Sequence, residues 1–408
     1  MPGPNDQIIE HRTAKATVTI KDAADRPLAN TPVTIRQTRH KFLFGCNVFG
    51  LRGLKTPEQT EAYRQRFAEL LNFATLPFYW GSYEPERGKT IADALKSMAR
   101  WCAEHGVCPK GHPLVWHTAQ PAWPQELGLA EYERILMERV TRDVAGFAGL
   151  IDTWDVINET EILPRVTSKL DRLPRLSHMI GRIEVIRRAF AAARAANPKA
   201  TLILNDYETS PAYEEIIERC LDAGVTIDAI GIQSHMHVGY WGAEKTHDVL
   251  RRFGRFGKPL HFTELTIISG RPKAADDNDW ETRRENWAST PEGEQQQAEQ
   301  AAEFYRILFA SPAVEAITWW DFCDQQAWMA APSGFLRGDT SPKPVYDALK
   351  KLIKDEWWTG LLKLKTDEQG RVEFRGVLGS YSVAATGGSG KLELANAGMI
   401  RKTISLKE

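Results

Sequence analysis

Between residues 42 and 321 the chain carries eight short apolar runs, and each turns polar at its C-terminal end. The runs are FLFGCN (42–47), NFATLP (72–77), GHPLVWH (111–117), DTWDVIN (152–158), TLILND (201–206), DAIGIQ (228–233), PLHFTE (259–264) and EAITWWD (315–321). Amphipathic stretches with helical spacing separate them, among them TPEQTEAYRQRFAELL, EVIRRAFAAARAANP and GEQQQAEQAAEFYRILF. The last must stop at Ser311-Pro312, because proline lacks an N–H and clashes with the preceding turn. Strands alternating with helices predict a parallel α/β fold. Eight such units over roughly 310 residues predict a closed (β/α)8 TIM barrel rather than an open sheet. The barrel is expected over 41–357. In a closed barrel the C-terminal strand ends converge on one face, where the active site of this fold sits. Asn47, His117, Asn158, Glu159, Asp206, Gln233, His235, Glu264 and Asp321 fall at those ends. Polar residues placed at random would not choose one end of nearly every strand.

The two ends of the chain read differently. Residues 13–36 are two alternating strands joined by a polar turn, and the tail from Leu364 is a series of short β runs broken by Gly and Asn. Neither end alone has enough strands to bury a face. The expectation is therefore a discontinuous, Ig-like β-sandwich made from 8–38 and 361–408, accessory to the barrel. A length of 408 residues suits that combination. Lys and Arg total 52 against 53 Asp and Glu, so no electrostatic case exists for nucleic acid as a partner. Five cysteines without repeated spacing suggest buried free thiols rather than a disulfide framework or zinc site. No apolar run approaches ~20 residues, so no membrane span is expected. The first residues lack the apolar core of a signal peptide, which implies an internal protein unless an export signal was trimmed. The 13 Trp, several of them in presumed loops, favour carbohydrate, whose flat faces stack on indole rings.

Glu159 ends the fourth run and Glu264 the seventh. Strands four and seven lie across a barrel mouth from one another, so two carboxylates can face each other over a groove. Glycosidic cleavage uses such a pair, about 5–5.5 Å apart in retaining enzymes and about 6.5–9.5 Å apart in inverting ones. An ion-pair network accounts for one isolated glutamate more simply. It accounts less well for two on opposite strands beside Asn, His and Trp. A metal-dependent hydrolase is the rival chemistry. His112 and His117, read as five apart on one strand, would point to opposite faces, and His235 with His237 lacks a third ligand of convincing spacing. No metal and no cofactor are therefore expected.

The ordered motifs GHPLVWH with Gln120 and Trp123, WDVINE (154–159), ILNDYE (203–208), GIQSHMH (231–237), HFTEL (261–265), WWDFCDQQAW (319–328) and PKPVYDAL (342–349) resemble those of glycoside hydrolase family 10, the endo-β-1,4-xylanase family. The resemblance spans residues 42 to 355 or so. It implies Glu159 as general acid/base and Glu264 as nucleophile of a retaining hydrolase. Asn158 would bond the sugar 2-hydroxyl, His117 would hold the sugar at subsite −1, and His235 would keep Glu264 ionised. Gln233 belongs to the same shell. Trp320 and Trp328 would wall the −1 sugar, with Gln120 and Trp123 bordering that pocket. An oligo- or polysaccharide is the implied partner.

One stretch departs from the family pattern. Where family xylanases carry Glu-Asn-x-Met-Lys after strand two, this chain has Thr75-Leu76-Pro77-Phe78-Tyr79. The groups that hold the sugar at −2 become Thr75 and Leu76, and the lysine reaching the −1 hydroxyls becomes Tyr79. A site that loses its hydroxyl partners can change selectivity by orders of magnitude. The reading is thus a retaining β-glycosidase with an altered glycone pocket, acting on a plant- or microbe-derived glycan. A true xylanase, or a barrel that binds glycan without cutting it, are the alternatives. Two polar stretches near the mouth, 159–177 with Arg165, Arg172 and Arg175, and 267–293 with Trp280 and Trp287, are further places where sugar specificity could be set.

Overall fold

The computed structural model describes residues 3–407 apart from Glu281 and Glu285. Two N-terminal strands, β1 (Thr13–Lys21) and β2 (Pro32–His40), precede eight parallel strands. These are β3 (Leu43–Asn47), β4 (Phe73–Pro77), β5 (Cys108–His112), β6 (Thr153–Asn158), β7 (Thr201–Asp206), β8 (Ala229–Ile232), β9 (Leu260–Leu265) and β10 (Val314–Trp319). They close into a barrel in chain order, with β10 returning to β3. Helices link them, and their ends follow local chemistry. The helix Pro57–Leu70 starts at Thr56, whose hydroxyl accepts from the Gln59 N–H at 3.2 Å, with proline in the first turn. The helix Pro291–Ala310 ends just before Ser311-Pro312, where the sequence demands it.

Five strands follow: β11 (Leu362–Lys365), β12 (Arg371–Val377), β13 (Gly379–Ala385), β14 (Gly388–Leu394) and β15 (Gly398–Ser405). β1 lies between β12 and β15, and β2 lies between β11 and β13, with β14 beyond. Each sheet is thus completed only by strands from the other end of the chain. Ala14, Ala16, Val18 and Ile20 of one sheet and Val33, Ile35, Tyr381 and Val383 of the other face a shared core, as period-two alternation requires. By compactness the chain divides into Met1–Leu43 with Gln295–Pro312 and Pro342–Glu408, and Phe44–Glu294 with Ala313–Ser341.

The third barrel strand differs from expectation. It was expected over 111–117 and runs over Cys108–His112. Pro113 cannot continue the ladder, and beyond it the Leu114 and Val115 N–H groups bond Asp155 and Val156 carbonyls instead. The apolar LVW run is therefore the exit from the strand. The strand itself holds Lys110 and His112, whose inward polar groups are answered by Asp155.

Candidate active site

Glu159 follows β6 at φ +56°, and its N–H bonds the Asn205 carbonyl at 2.9 Å. Such a left-handed conformation costs a non-glycine residue on the order of 1–3 kcal/mol, so the surrounding contacts must hold it. Trp116 Nε1 donates to Glu159 Oε2 at 2.8 Å, and Gln233 Nε2 and Asn158 Nδ2 reach Oε1 at 3.2 and 3.3 Å. Burial pushes the carboxyl up to about 8; the bonds from Trp116 and Gln233 oppose the shift, and the charges of Glu264 and Asp206 add to it. A carboxyl in this state keeps its proton near neutral pH and can give it away.

Glu264, within β9, is in the opposite condition. Burial works to raise it, but His112, His235 and Lys110 outweigh burial and hold it below the ordinary glutamate value. His235 Nε2 stands 3.3 Å from Oε2, and His112 Nε2 3.8 Å from Oε1. The Thr266 hydroxyl donates to the Trp320 carbonyl at 2.9 Å, which leaves its oxygen to accept from His235 Nδ1, also at 2.9 Å. That orients the ring with Nε2 towards the carboxylate. His112 is fixed in the same fashion: Nδ1 meets Asp155 Oδ2 at 2.7 Å, and Lys110 Nζ meets that oxygen at 2.6 Å. Lys110 and Asp155 are wholly buried, so each charge depends on the other.

Two amides join the two carboxylates. Asn205 Nδ2 donates to Glu264 Oε1 at 2.8 Å and to Asn158 Oδ1 at 2.7 Å, and Asn158 in turn donates to Glu159. Thr263 fixes the Asn205 oxygen at 2.6 Å. Next door, β8 must carry glycine: a Cβ on Gly231 would lie 2.3 Å from Asn205 Oδ1. The result is one hydrogen-bonded system with a neutral carboxyl at one end and an ionised one at the other.

Of the residues expected at the site, Asn158, Gln233 and His235 lie in this network. His117 Nε2 is 3.7 Å from Glu159 Oε2, and burial lowers its pKa to about 4, so it is uncharged. The opposite-faces reading of His112 and His117 fails with the strand that supported it. His112 ends β5, His117 lies beyond, and each approaches a different glutamate. Trp328 packs on His235 at 4.9 Å between centroids, and Trp320 on His112 at 5.4 Å. Asp321 accepts from the Trp328 N–H at 2.7 Å and from Asn47. Tyr79 stands edge-on to His112 at 5.6 Å. Thr75 and Leu76 are fully buried, so their side chains do not line the cleft; of the three substitutions only Tyr79 does.

Gln120 and Trp123 hydrogen-bond neither glutamate. Gln120 is committed to Trp116 O, Gln125 and Tyr132, and Trp123 packs on Trp80 and bonds Glu84 O. They support the segment that carries Trp116. In the long loop, apart from Glu281 and Glu285, which lie outside the described residues, Trp280 stacks on Trp328 at 6.0 Å. The other face of the loop is tied by Lys273 and Arg284 to Asp277. Arg165 pairs with Glu161, and Arg172 and Arg175 pair with Asp171. His112, Trp116 and Asn205 were missed by sequence reasoning, although each lies inside a motif it quoted. What marks each is a carboxylate partner supplied by another part of the barrel, Asp155 for His112, Glu159 for Trp116 and Glu264 for Asn205.

A family model described as Glycosyl hydrolase family 10 matches residues 39–352. Endo-1,4-beta-xylanase B of Thermotoga neapolitana is 28% identical over 296 residues, 68% of this chain and 78% of its own length. The endo-1,4-beta-xylanase of Geobacillus stearothermophilus is 29% identical over 299 residues, covering 70% and 87%. Native xylanase 10B from Thermotoga maritima superposes with a TM-score of 0.65 at 24% identity, over 78% of this chain and 96% of that one. With a closed eight-stranded barrel and a family match that runs through all eight strands, the chain belongs to glycosyl hydrolase family 10 and is an O-glycoside hydrolase.

Proposed function

We propose that the protein is a retaining β-glycosidase in which Glu264 is the nucleophile and Glu159 the general acid/base. The observation that carries the assignment is one hydrogen-bonded network that joins two carboxylates in unlike surroundings, Glu159 pushed up by burial and Glu264 held down by His112, His235 and Lys110. In the first step Glu264 attacks the anomeric carbon as the bond to the leaving oxygen breaks, and Glu159 gives that oxygen its proton. In the second step Glu159, now ionised, takes a proton from water as the water oxygen displaces Glu264. Formation of the glycosyl ester removes the negative charge on Glu264 that helped keep Glu159 protonated, so Glu159 holds its proton before the first step and is favoured as the ionised base in the second.

In this reading Asn158 bonds the sugar 2-hydroxyl, His117 and Gln233 hold the sugar beside Glu159, and His235 keeps Glu264 charged. Trp320 and Trp328 wall the sugar. The chemistry requires no cofactor. The barrel is assigned to 41–357 and the accessory module to 8–38 with 361–408. The glycone pocket differs from that of a xylanase, since the −2 groups are replaced and Tyr79 is the replacement that lines the cleft. The test is turnover of an activated aryl β-glycoside by Glu159→Gln and Glu264→Gln variants. Both are expected to lose it, and full activity in Glu264→Gln sinks the nucleophile assignment. The relatives named as endo-1,4-beta-xylanases favour a second reading, an enzyme that cuts plain xylan. Xylo-oligosaccharides released from unsubstituted xylan would decide for it.

A further inference from the structure

Four rings form a closed circuit on the β3–β4–β5–β10 side of the mouth. Tyr79 meets His112 at 5.6 Å and 86°, and His112 meets Trp320 at 5.4 Å. Trp320 meets Phe49 at 5.4 Å and 85°, and Phe49 returns to Tyr79 at 6.1 Å. Trp116 extends the row from Tyr79 at 5.7 Å towards Glu159. These separations are those of aromatic rings in van der Waals contact, so no passage for a pyranose remains between neighbours. Trp320 and His112 are buried, at 4% and 1% exposure, and form the floor beside Glu264. Tyr79 and Phe49 are only part-buried and stand at its outer edge. Behind them Thr75 and Leu76 are sealed in β4 and offer no hydrogen bond to a second sugar.

The opposite side of the carboxylates is different in kind. Tyr207 follows β7, feels the charges of Glu159 and Asp206, and is 39% exposed. The Glu161–Arg165 pair presents a polar, largely exposed arginine on the same side. A glycan can therefore extend beyond the leaving oxygen, but on the glycone side it meets aromatic rings where hydroxyl partners would be needed. Sugar hydroxyls stripped of water without new partners make such a subsite unfavourable.

Resting on the retaining-hydrolase reading, we infer that the Phe49–Tyr79 edge closes the glycone side after one residue, so that the enzyme removes a single terminal β-linked sugar. Phe49 and Tyr79 are then the specificity-determining residues, and the leaving group, a glycan chain or an aryl aglycone, occupies the Tyr207 side.

The test compares initial rates of 4-nitrophenol release from 4-nitrophenyl β-glycosides of single pyranoses with those from the β-xylobioside and β-cellobioside. At least one monosaccharide glycoside is expected to be cut with a kcat/KM about 100-fold above that of the matching disaccharide glycoside, the scale on which unmatched polar groups discriminate. The Phe49→Ala variant is expected to narrow that ratio about tenfold or more, a change in selectivity that general loss of stability would not produce. Disaccharide glycosides cut as fast as monosaccharide ones, or faster, overturn the inference while leaving the hydrolase reading intact. They would mean that Tyr79 and Phe49 serve as a stacking platform for a second sugar. An unchanged ratio in Phe49→Ala overturns the role of the edge. No turnover of any glycoside overturns the hydrolase reading and this inference with it.

Discussion

The hydrogen bond from Trp116 to Glu159 makes a prediction whose sign is easily guessed wrong. Trp116→Phe keeps an aromatic ring against Tyr79 and His117 but removes the Nε1–H that reaches Glu159 Oε2 at 2.8 Å. That bond favours the ionised carboxylate, so its loss must raise the pKa, which already stands at about 8 because of burial. Hydrogen bonds to charged groups contribute about 1.5–3 kcal/mol, and one pKa unit is about 1.4 kcal/mol, which bounds the shift at roughly 1–2 units. Gln233 and Asn158 still hold the other oxygen and can tighten, so a rise of about one unit is expected. The measurement is kcat/KM against pH, which reports the free enzyme. In the proposed mechanism the enzyme works while Glu159 is protonated, so its alkaline limb is expected to move to higher pH by about one unit. The acid limb, set by Glu264, stays where it is, because its ionised state rests on His112, His235 and Lys110. An alkaline limb that is stationary or moves to lower pH refutes the claim that Glu159 is the acid and that Trp116 tunes it.

Two more perturbations test the scaffold beneath the carboxylates. Lys110→Met removes the buried cation beside Asp155 and leaves that carboxylate with His112 in a wholly buried site, which should cost about 3 kcal/mol of stability in a denaturant titration; a loss below about 1 kcal/mol would show that the pair is not ionised as argued. Gly231→Ala pushes a Cβ to within 2.3 Å of Asn205 Oδ1, displacing the amide that joins Asn158 and Glu264. Misplacement on that scale costs up to about 100-fold in rate, so kcat on an aryl glycoside should fall by about that factor, and unchanged kcat would remove Asn205 from the positioning network.

How much of this was legible in the sequence depends on whether a residue's partner is local. β7 and β9 were placed to within a residue because TLILND and LHFTE are apolar runs closed by a polar end. β5 was misplaced because two of its five residues, Lys110 and His112, are polar and yet inward. What makes them tolerable is Asp155, on the neighbouring strand, and no periodicity carries that information. Asn205 was passed over for the same reason. It reads as an ordinary strand-end amide until β6 and β9 bring Asn158 and Glu264 to its two hydrogens. The sandwich strands announced themselves by alternation, whereas the insertion of β1 between β12 and β15 is a long-range register that only the folded chain reveals. Phe49 had no signal at all. It lies in a short 3-10 turn after β3 and matters only because Tyr79 and Trp320 arrive on either side of it.

The barrel separates the two things that a glycosidase must encode. Glu159 and Gln233 follow β6 and β8, and Asn205 and Glu264 lie near the ends of β7 and β9. The contacts that set the charges of the two glutamates come from those strands and the residues after them, from Lys110 and His112 of β5, and from Trp116 just beyond it. The rings that define the glycone edge come instead from the loops after β3 and β4 and from the end of β10. On the proposed reading, tyrosine in place of lysine after β4 would alter which sugar fits without removing a hydrogen bond from either carboxylate. This is how one fold can keep its chemistry while its loops change the substrate. The separation is incomplete where the two sets touch, at Trp116, which packs on Tyr79 and bonds Glu159, and at His112. His112 is both the floor of the aromatic circuit and the neighbour of Glu264, so a bulky change at Tyr79 that tilts the imidazole would move the nucleophile's pKa together with the specificity. A smaller one, Tyr79→Phe, should leave the acid limb of the pH profile in place, and that difference distinguishes a pocket wall from a part of the charge network.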